Sequence, residues 1–313
     1  MVHGFMKSRI VSSSTLILFA SCWLALAQVK PLTEQERQKI EAAIPSRAPV
    51  RVQKPRKMLV FSMNVSKGKP RPGHPSIPAA QYALELMGKK TRAFEPVFSD
   101  DINMLRWETL RTFDVVCFNN TTGVLTENRE LQRSLVDFVR SGKGFVAIHA
   151  GGGATFVEYP EYGQFPEFGV MVGGYEDGGH AYAPNSTVHI RVEDPKSPLN
   201  AAFKGKGFVV RDEIYQFRHG YGRENVRVLL SVDTEHPENS PMRKPLPERA
   251  VDKDFPVSWI KNYGRGRVFY FVLGHHPEIF MDPALLQHLL AGIQFAAGDL
   301  KADTTPSAKI QRR

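Results

Sequence analysis

The chain has 313 residues, 42% of them hydrophobic and 23% charged, with a formal net charge of +9 and only two cysteines. This hydrophobic share can fill the core of one large α/β domain, and two cysteines exclude a disulfide-stapled scaffold. Much of the basic excess lies in 47–57 and in the ending Lys309-Ile310-Gln311-Arg312-Arg313. No nucleic-acid motif accompanies it, so it reads as a solvated basic surface and no nucleic-acid partner is expected.

At the start, Lys7 and Arg9 precede the apolar run Thr15-Leu16-Ile17-Leu18-Phe19-Ala20, and Ala25-Leu26-Ala27 forms a small-x-small site before Gln28. That order is a signal peptide over 1–27, cleaved after Ala27, and predicts a periplasmic or secreted protein without stable membrane insertion after cleavage. As a spanning anchor the run is short and poorly flanked. Cys22 in Phe19-Ala20-Ser21-Cys22 offers a lipoprotein alternative, but the apolar stretch Trp23 to Ala27 is atypical after a lipobox. Cleavage leaves Cys117 alone, in Asp114-Val115-Val116-Cys117-Phe118, where a thiol packs as a small apolar group.

Next comes an N-terminal linker, 28–56, with a short amphipathic helix over 34–43 and then a Pro- and Arg-rich connector. The folded unit is read as 57–298 and the remainder, 299–313, as a disordered tail. Within the unit, 58–63 is a continuous apolar run, 78–87 has helical spacing, 91–98 reads as a strand and 102–110 as a helix. A strand at 115–118, a helix at 127–139 with Leu131, Leu135, Phe138 and Val139 on one face, and a strand at 144–148 complete a βαβαβαβ order. That alternation predicts a parallel sheet with helices on both faces. The second half carries strands at 187–192, 208–217, 227–232, 257–260 and 268–273, a polar loop over 233–255, and a closing helix at 283–297.

The most informative residue is His149, in Gly144-Phe145-Val146-Ala147-Ile148-His149-Ala150-Gly151-Gly152-Gly153. It stands where a buried strand runs into a glycine turn, at the carboxyl edge where open sheets bind ligands. The geometry is that of a nucleophile elbow, with imidazole in place of a hydroxyl or thiol. Other polar groups fall at strand ends too: His74, Asn120 with Thr121, the segment Gly173-Gly174-Tyr175-Glu176-Asp177-Gly178-Gly179-His180, then Asp212-Glu213-Ile214-Tyr215, and Gly274-His275-His276. Neutral imidazoles and carboxylates suit zinc, manganese or iron, so a divalent metal on His149, His180 and His275 is expected. Each residue also has a plainer reading: Asp212 can cap a turn, His275 and His276 can be surface residues, and Gly173-Gly174 can be only a turn. His189, His219, His236 and His288 lack glycine-rich surroundings and read as structural.

In this order the segments His74-Pro75-Ser76-Ile77-Pro78, Asn120-Thr121-Thr122-Gly123-Val124-Leu125-Thr126, 144–149, Gly173-Gly174 with His180, Asp212-Glu213-Ile214-Tyr215, Pro256-Val257-Ser258-Trp259 and Gly266-Arg267-Val268-Phe269-Tyr270 with Leu273-Gly274-His275 resemble the ThuA-like, or trehalose-utilisation, family. The resemblance covers nearly all of 57–298. It implies a flavodoxin-like, doubly wound, mostly parallel sheet related to class I glutamine amidotransferases, and a role in carbohydrate metabolism with trehalose and keto-sugars as the linked substrates. Carried over by position, it marks His74, His149, His180, Asp212, Glu213 and His275 as the polar site, with Asn120 and Thr121 nearby. The chain departs from the family pattern at Ser197-Pro198, where His-Pro is common, and by the two glycines and acidic pair between Gly174 and His180. Those departures leave the substrate open.

The expected activity is that of a keto-sugar isomerase, lyase or hydrolase. Glu213, His149 and Asp212 are the catalytic candidates, and His74, Asn120, Thr121 and Tyr215 the substrate-binding ones. The expected partner is a small carbohydrate, and no nucleotide cofactor is expected. Glutamine amidotransfer is disfavoured, because the elbow has no cysteine to form a thiolate. The alternative is a non-catalytic carbohydrate-binding or cell-surface interaction module, with Trp259, Tyr215 and Tyr175 as sugar platforms.

Overall fold

The structure, a computed structural model, describes Met1 and residues 30–158 and 164–310. The leader lies outside the described residues. The first helix, α1 (Glu34–Ala43), starts at a capping box in which Thr33 and Glu36 bond each other's backbone amide. Strand β1 (Lys57–Phe61) follows, then a small hairpin at 65–70 and helix α2 (Ile77–Thr91), whose Ala79, Ala80, Ala83, Leu84 and Met87 form its buried stripe. Thr91, read from the sequence as the start of a strand, is the last residue of α2, and β2 is only Glu95–Phe98. The region read as one helix at 102–110 is a 3₁₀ turn, Ile102–Leu105, and a helical turn, Trp107–Leu110, broken at Arg106.

Strand β3 (Val115–Asn119), helix α3 (Arg129–Arg140) and strand β4 (Gly144–Ile148) agree with the periodicity to within two residues. After α4 (Pro166–Val172) come β5 (Tyr175–His180), β6 (Thr187–Val192), β7 (Phe208–Arg211), β8 (Tyr215–Arg218), β9 (Arg227–Val232), β10 (Pro256–Tyr263), β11 (Gly266–Phe271) and α5 (Pro283–Ala297). Nine strands form one sheet in the order β2-β1-β3-β4-β11-β10-β9-β6-β7. The run from β2 to β11 is parallel and the rest antiparallel, so all but β10 and β6 point one way. Helices α1, α2 and α5 pack together as one layer, and α3 packs with α4 as the other. This is the α/β, mostly parallel architecture that the alternation implied, with helices on both faces of the sheet.

The strand expected over 208–217 is two strands. β7 ends on the sheet's outer edge, whereas β8 leaves to pair with β5 in a separate antiparallel ribbon, Tyr215 opposite His180. The break falls at Asp212, whose carboxylate takes backbone amides from 274–276 and turns the chain off the sheet. Residues 299–310, read as a tail, lie along the domain: Leu300 is buried, Asp299 pairs with Arg56, and Ser307 and Ala308 donate to the carbonyls of Val226 and Arg223.

Candidate active site

The elbow is built by strain and close packing. His149 has φ 50° and ψ −118°, a backbone conformation that a non-glycine residue holds only when its surroundings fix it. They do: its amide donates to Phe271 O at 2.8 Å, and the Tyr270 hydroxyl donates to its carbonyl at 2.6 Å while accepting from the Gly153 amide at 2.7 Å. A Cβ at Gly151 would lie 1.9 Å from the Phe118 carbonyl oxygen, so the turn fits only with hydrogen there.

The side chain is equally constrained. Nδ1 lies 2.8 Å from Val272 O, which only accepts, so Nδ1 carries a proton and Nε2 faces inward. Nε2 is 2.9 Å from the Tyr215 hydroxyl and 3.2 Å from Glu213 Oε2. His275 Nδ1 lies 3.1 Å from the same oxygen, and His180 Nδ1 3.2 Å from Glu213 Oε1. The His74 ring sits edge-on to both His149 and His275, with centroids at 4.9 and 5.2 Å. One donor atom each from His74, His149, Glu213 and His275 lies within 4.8 Å of the others.

Two bodies contribute. His74, His149 and His275 follow β1, β4 and β11 at the carboxyl edge of the parallel sheet. His180 and Tyr215 belong to the β5/β8 ribbon, and Glu213 lies just before β8. Tyr215 stacks on His149 and on His180, with centroids at 4.4 and 5.2 Å.

Other candidates take different places. Asp212 does not meet the imidazoles through its carboxylate; it receives the amides of Gly274 (2.6 Å), His275 (3.4 Å) and His276 (3.1 Å) and so fixes the turn that presents His275. Asn120, at φ 55°, points its amide nitrogen at Ser76 Oγ and Gly274 O, at 3.4 and 3.5 Å, and its buried Oδ1 has no hydrogen-bond partner among the described residues. The Thr121 hydroxyl bonds that of Thr155 at 2.6 Å. Trp259, Tyr175 and Tyr215 are all buried; the indole donates to Val172 O and the Tyr175 hydroxyl to Phe165 O. As exposed sugar platforms the three are therefore unsuited, because their faces are already covered by the core.

Glu176 was not singled out from the sequence. It is buried, and its Oε1 lies 3.9 Å from His180 Nε2, so His180 stands between two carboxylates. The signal available was the acidic pair in a glycine-rich run, with Glu176 four positions before His180.

The electrostatics divide the two acids. Burial pulls Glu213 upward, but the close imidazoles of His149 and His275 and the charges of His149 and His180 override it, holding Glu213 well below the usual carboxylate range. Glu176 is pushed up to about 8 by burial and then by the negative charges of Glu213 and Asp177. Burial, reinforced by His149 and His275, drives His74 down to about 2. His180 is also lowered by burial, against the pull of Glu213, whereas Glu213 raises His275 despite its burial. Burial lifts the Asp212 carboxyl, against His149 and the backbone amides.

A family model described as ThuA, trehalose utilisation, matches residues 57–296. The chain belongs to the ThuA family. That membership supports a role in carbohydrate metabolism. Two solved structures share the ThuA fold with it: a ThuA-like protein of Bacteroides uniformis, 21% identical at a TM-score of 0.57, and one of Parabacteroides merdae, 18% identical at 0.52. The first match covers 83% of this chain and 98% of the other, the second 80% and 93%. No curated protein matches the chain.

Proposed function

We propose that this ThuA protein is an exported enzyme that acts on a sugar or keto-glycoside at a divalent metal held by His74, His149, His275 and Glu213. The observation that carries the reading is the set of four donors within 4.8 Å of one another, two of them without ordinary partners. His74 Nδ1 and His275 Nδ1 are buried and hydrogen-bond to nothing among the described residues, although His275 Nδ1 is 3.1 Å from Glu213 Oε2. Close approach without hydrogen-bond alignment is expected of groups that share a cation. Three imidazoles and one carboxylate suit zinc, manganese or iron.

When bound, such an ion supplies Lewis-acid polarisation of a carbonyl oxygen. The chain's own residues do the rest. Tyr215 and the Val272 carbonyl hold His149 in one tautomer and one orientation. His180, about 30% exposed and lying against Glu213 Oε1, is suited to take the proton from the carbon beside a substrate carbonyl as the C–H electron pair moves onto oxygen. Return of that proton to the former carbonyl carbon, as the hydroxyl on the adjacent carbon passes its own proton to the enolate oxygen and becomes the new carbonyl, gives an isomer; departure of a glycosidic oxygen two carbons from the carbonyl, taking up a proton, gives elimination. Glu176, raised to about 8, keeps a proton at neutral pH that can resupply His180.

The test is metal analysis of the purified full chain, with turnover measured on matched oxidised and unoxidised disaccharides. Stoichiometric metal that is lost in His149→Ala, with turnover only on the keto-sugars, is the expected result. Sugar binding without turnover across metals would move the function to a binding module. Export rests on the order of the first 27 residues, and N-terminal sequencing from an exporting host is expected to begin at Gln28.

A further inference from the structure

His180 sits at the end of an irregular stretch of the β5/β8 ribbon. Tyr215 stands opposite His180, but Phe217 stands opposite Glu176. One residue of β8, Gln216, therefore faces residues 177–179 of β5, a bulge in which the ladder does not fix the backbone that leads into His180. Gly179 lies in that bulge at φ 79°, and an added Cβ there would meet nothing within 4 Å, so packing does not hold it either. The Gln216 side chain takes the place of the ladder. It is wholly buried; its Nε2 donates to Gly179 O at 3.2 Å and to Lys244 O at 3.1 Å, and its Oε1 accepts the Leu246 amide at 2.8 Å. Two carbonyls that only accept and one amide that only donates fix which end of this side chain is nitrogen, and both of its N–H groups are used. On the other side of His180, Ala181 O accepts the Arg243 amide at 2.7 Å. The segment 243–246, part of the stretch read from the sequence as a polar loop, is thus a strap to which both neighbours of His180 are tied.

We infer that Gln216 is the positioning residue for His180: acting through Gly179 O, it and the 243–246 strap set where the His180 ring meets Glu213. The inference rests on the proton-transfer role given to His180 above. That ring has Glu213 Oε1 at 3.2 Å from Nδ1, Glu176 Oε1 at 3.9 Å from Nε2, and the Tyr215 ring stacked with its centroid at 5.2 Å. With its side chain 30% exposed, these contacts leave it room to swing, so its reach is decided by the backbone that carries it. A displacement of about 1 Å at a group that moves a proton costs about 100-fold in rate. His180 is not among the four donors that lie within 4.8 Å of one another, so a shift confined to it leaves metal binding as it was. Farther along the strap, Arg218 Nη2 donates to Glu248 Oε2 at 2.9 Å and fastens the other end of β8.

Gln216→Met keeps the length of the side chain and removes its hydrogen bonds. Leu246→Pro reaches the same clamp from the strap, since Leu246 has φ −56°, which proline adopts, and only its amide hydrogen is taken from Gln216 Oε1; it serves if Gln216→Met fails to fold. The full chain would be compared by hydrogen exchange over 178–181, by zinc counted per chain after dialysis against zinc chloride alone, and by kcat and KM on keto-sugars, each in wild-type and His180→Ala backgrounds. The expected result is exchange at least about tenfold faster over 178–181, unchanged zinc, and kcat lowered about 100-fold at nearly constant KM. In the His180→Ala background the same substitution should lower kcat no further, because it acts through His180. Unchanged exchange, lost zinc, or a full second loss of kcat without His180 would each overturn the inference. A wild type that turns over no keto-sugar would sink the function proposed above, and the exchange and zinc measurements would still decide whether Gln216 holds His180.

Discussion

At the scale of single residues, Glu213 is the point on which the proposed chemistry turns, because three imidazoles meet its two oxygens. Glu213→Gln keeps the shape and removes the charge. Turnover on the right keto-sugar is expected to fall by at least about 100-fold as metal binding weakens, in a protein that still folds. Steady-state kinetics beside a thermal melt checks this: full activity would remove Glu213 from the mechanism, and collapse of the fold would make it a structural carboxylate. His149 was legible in the sequence because a strand followed by three glycines has few other uses. The separation of His180 from the other histidines was not, since which carboxylate oxygen each ring meets depends on how the β5/β8 ribbon docks. Tyr215 and His149 are 66 positions apart, and no local pattern encodes a contact at that distance.

Among the elements, the strands with continuous apolar runs and the helices with a 3.6-residue stripe could be read from the chain to within a few residues. The break at Asp212 could not. Both halves of 208–217 are rich in strand formers, and the turn that interrupts them is held by amides 62 to 64 positions away. Asp212→Asn would present an N–H to that turn in place of one acceptor oxygen. A cost of about 2 kcal/mol in urea unfolding is expected, together with a metal affinity weakened by about 10- to 100-fold. Wild-type values for both would show that the turn holds itself. In α5, burial lowers His288 from 6.5 to about 4, although its bond to Leu199 O works against this. Below pH 6.5 the unfolded chain takes up a proton that the folded chain refuses. The stability associated with this neutral imidazole is therefore full above pH 6.5 and lost as pH falls towards 4, by about 3 kcal/mol. Melting temperature against pH should fall less steeply over that window in His288→Gln than in wild type; parallel curves would assign the acid sensitivity elsewhere.

For the whole molecule, composition read the ends as polar and loose, yet 299–310 is held by partners that composition does not reveal. Arg56 and Asp299 are joined by a paired guanidinium–carboxylate contact that links the connector to the chain's last segment, and Asn262 donates to Thr304 Oγ1 at 2.9 Å. Removing 299–313 leaves Arg56 without this buried carboxylate and uncovers β9 where Ser307 Oγ accepts the Val228 amide at 2.9 Å. Such a truncation should lower the melting temperature by several degrees, as expected for a loss of about 2 kcal/mol in a large domain. An unchanged melt would make the contact dispensable.

The division of the candidate site between a sheet edge and a ribbon outside that sheet has a kinetic consequence. The histidines after β1, β4 and β11 reach their places when the parallel strands assemble, but Glu213, His180 and Tyr215 arrive only when the ribbon docks. During refolding, recovery of secondary structure and recovery of turnover would then be separate events, the second lagging the first. Activity in this architecture would be a clock for the last long-range closure, and a chain stalled before that closure would look nearly native by circular dichroism while catalysing nothing.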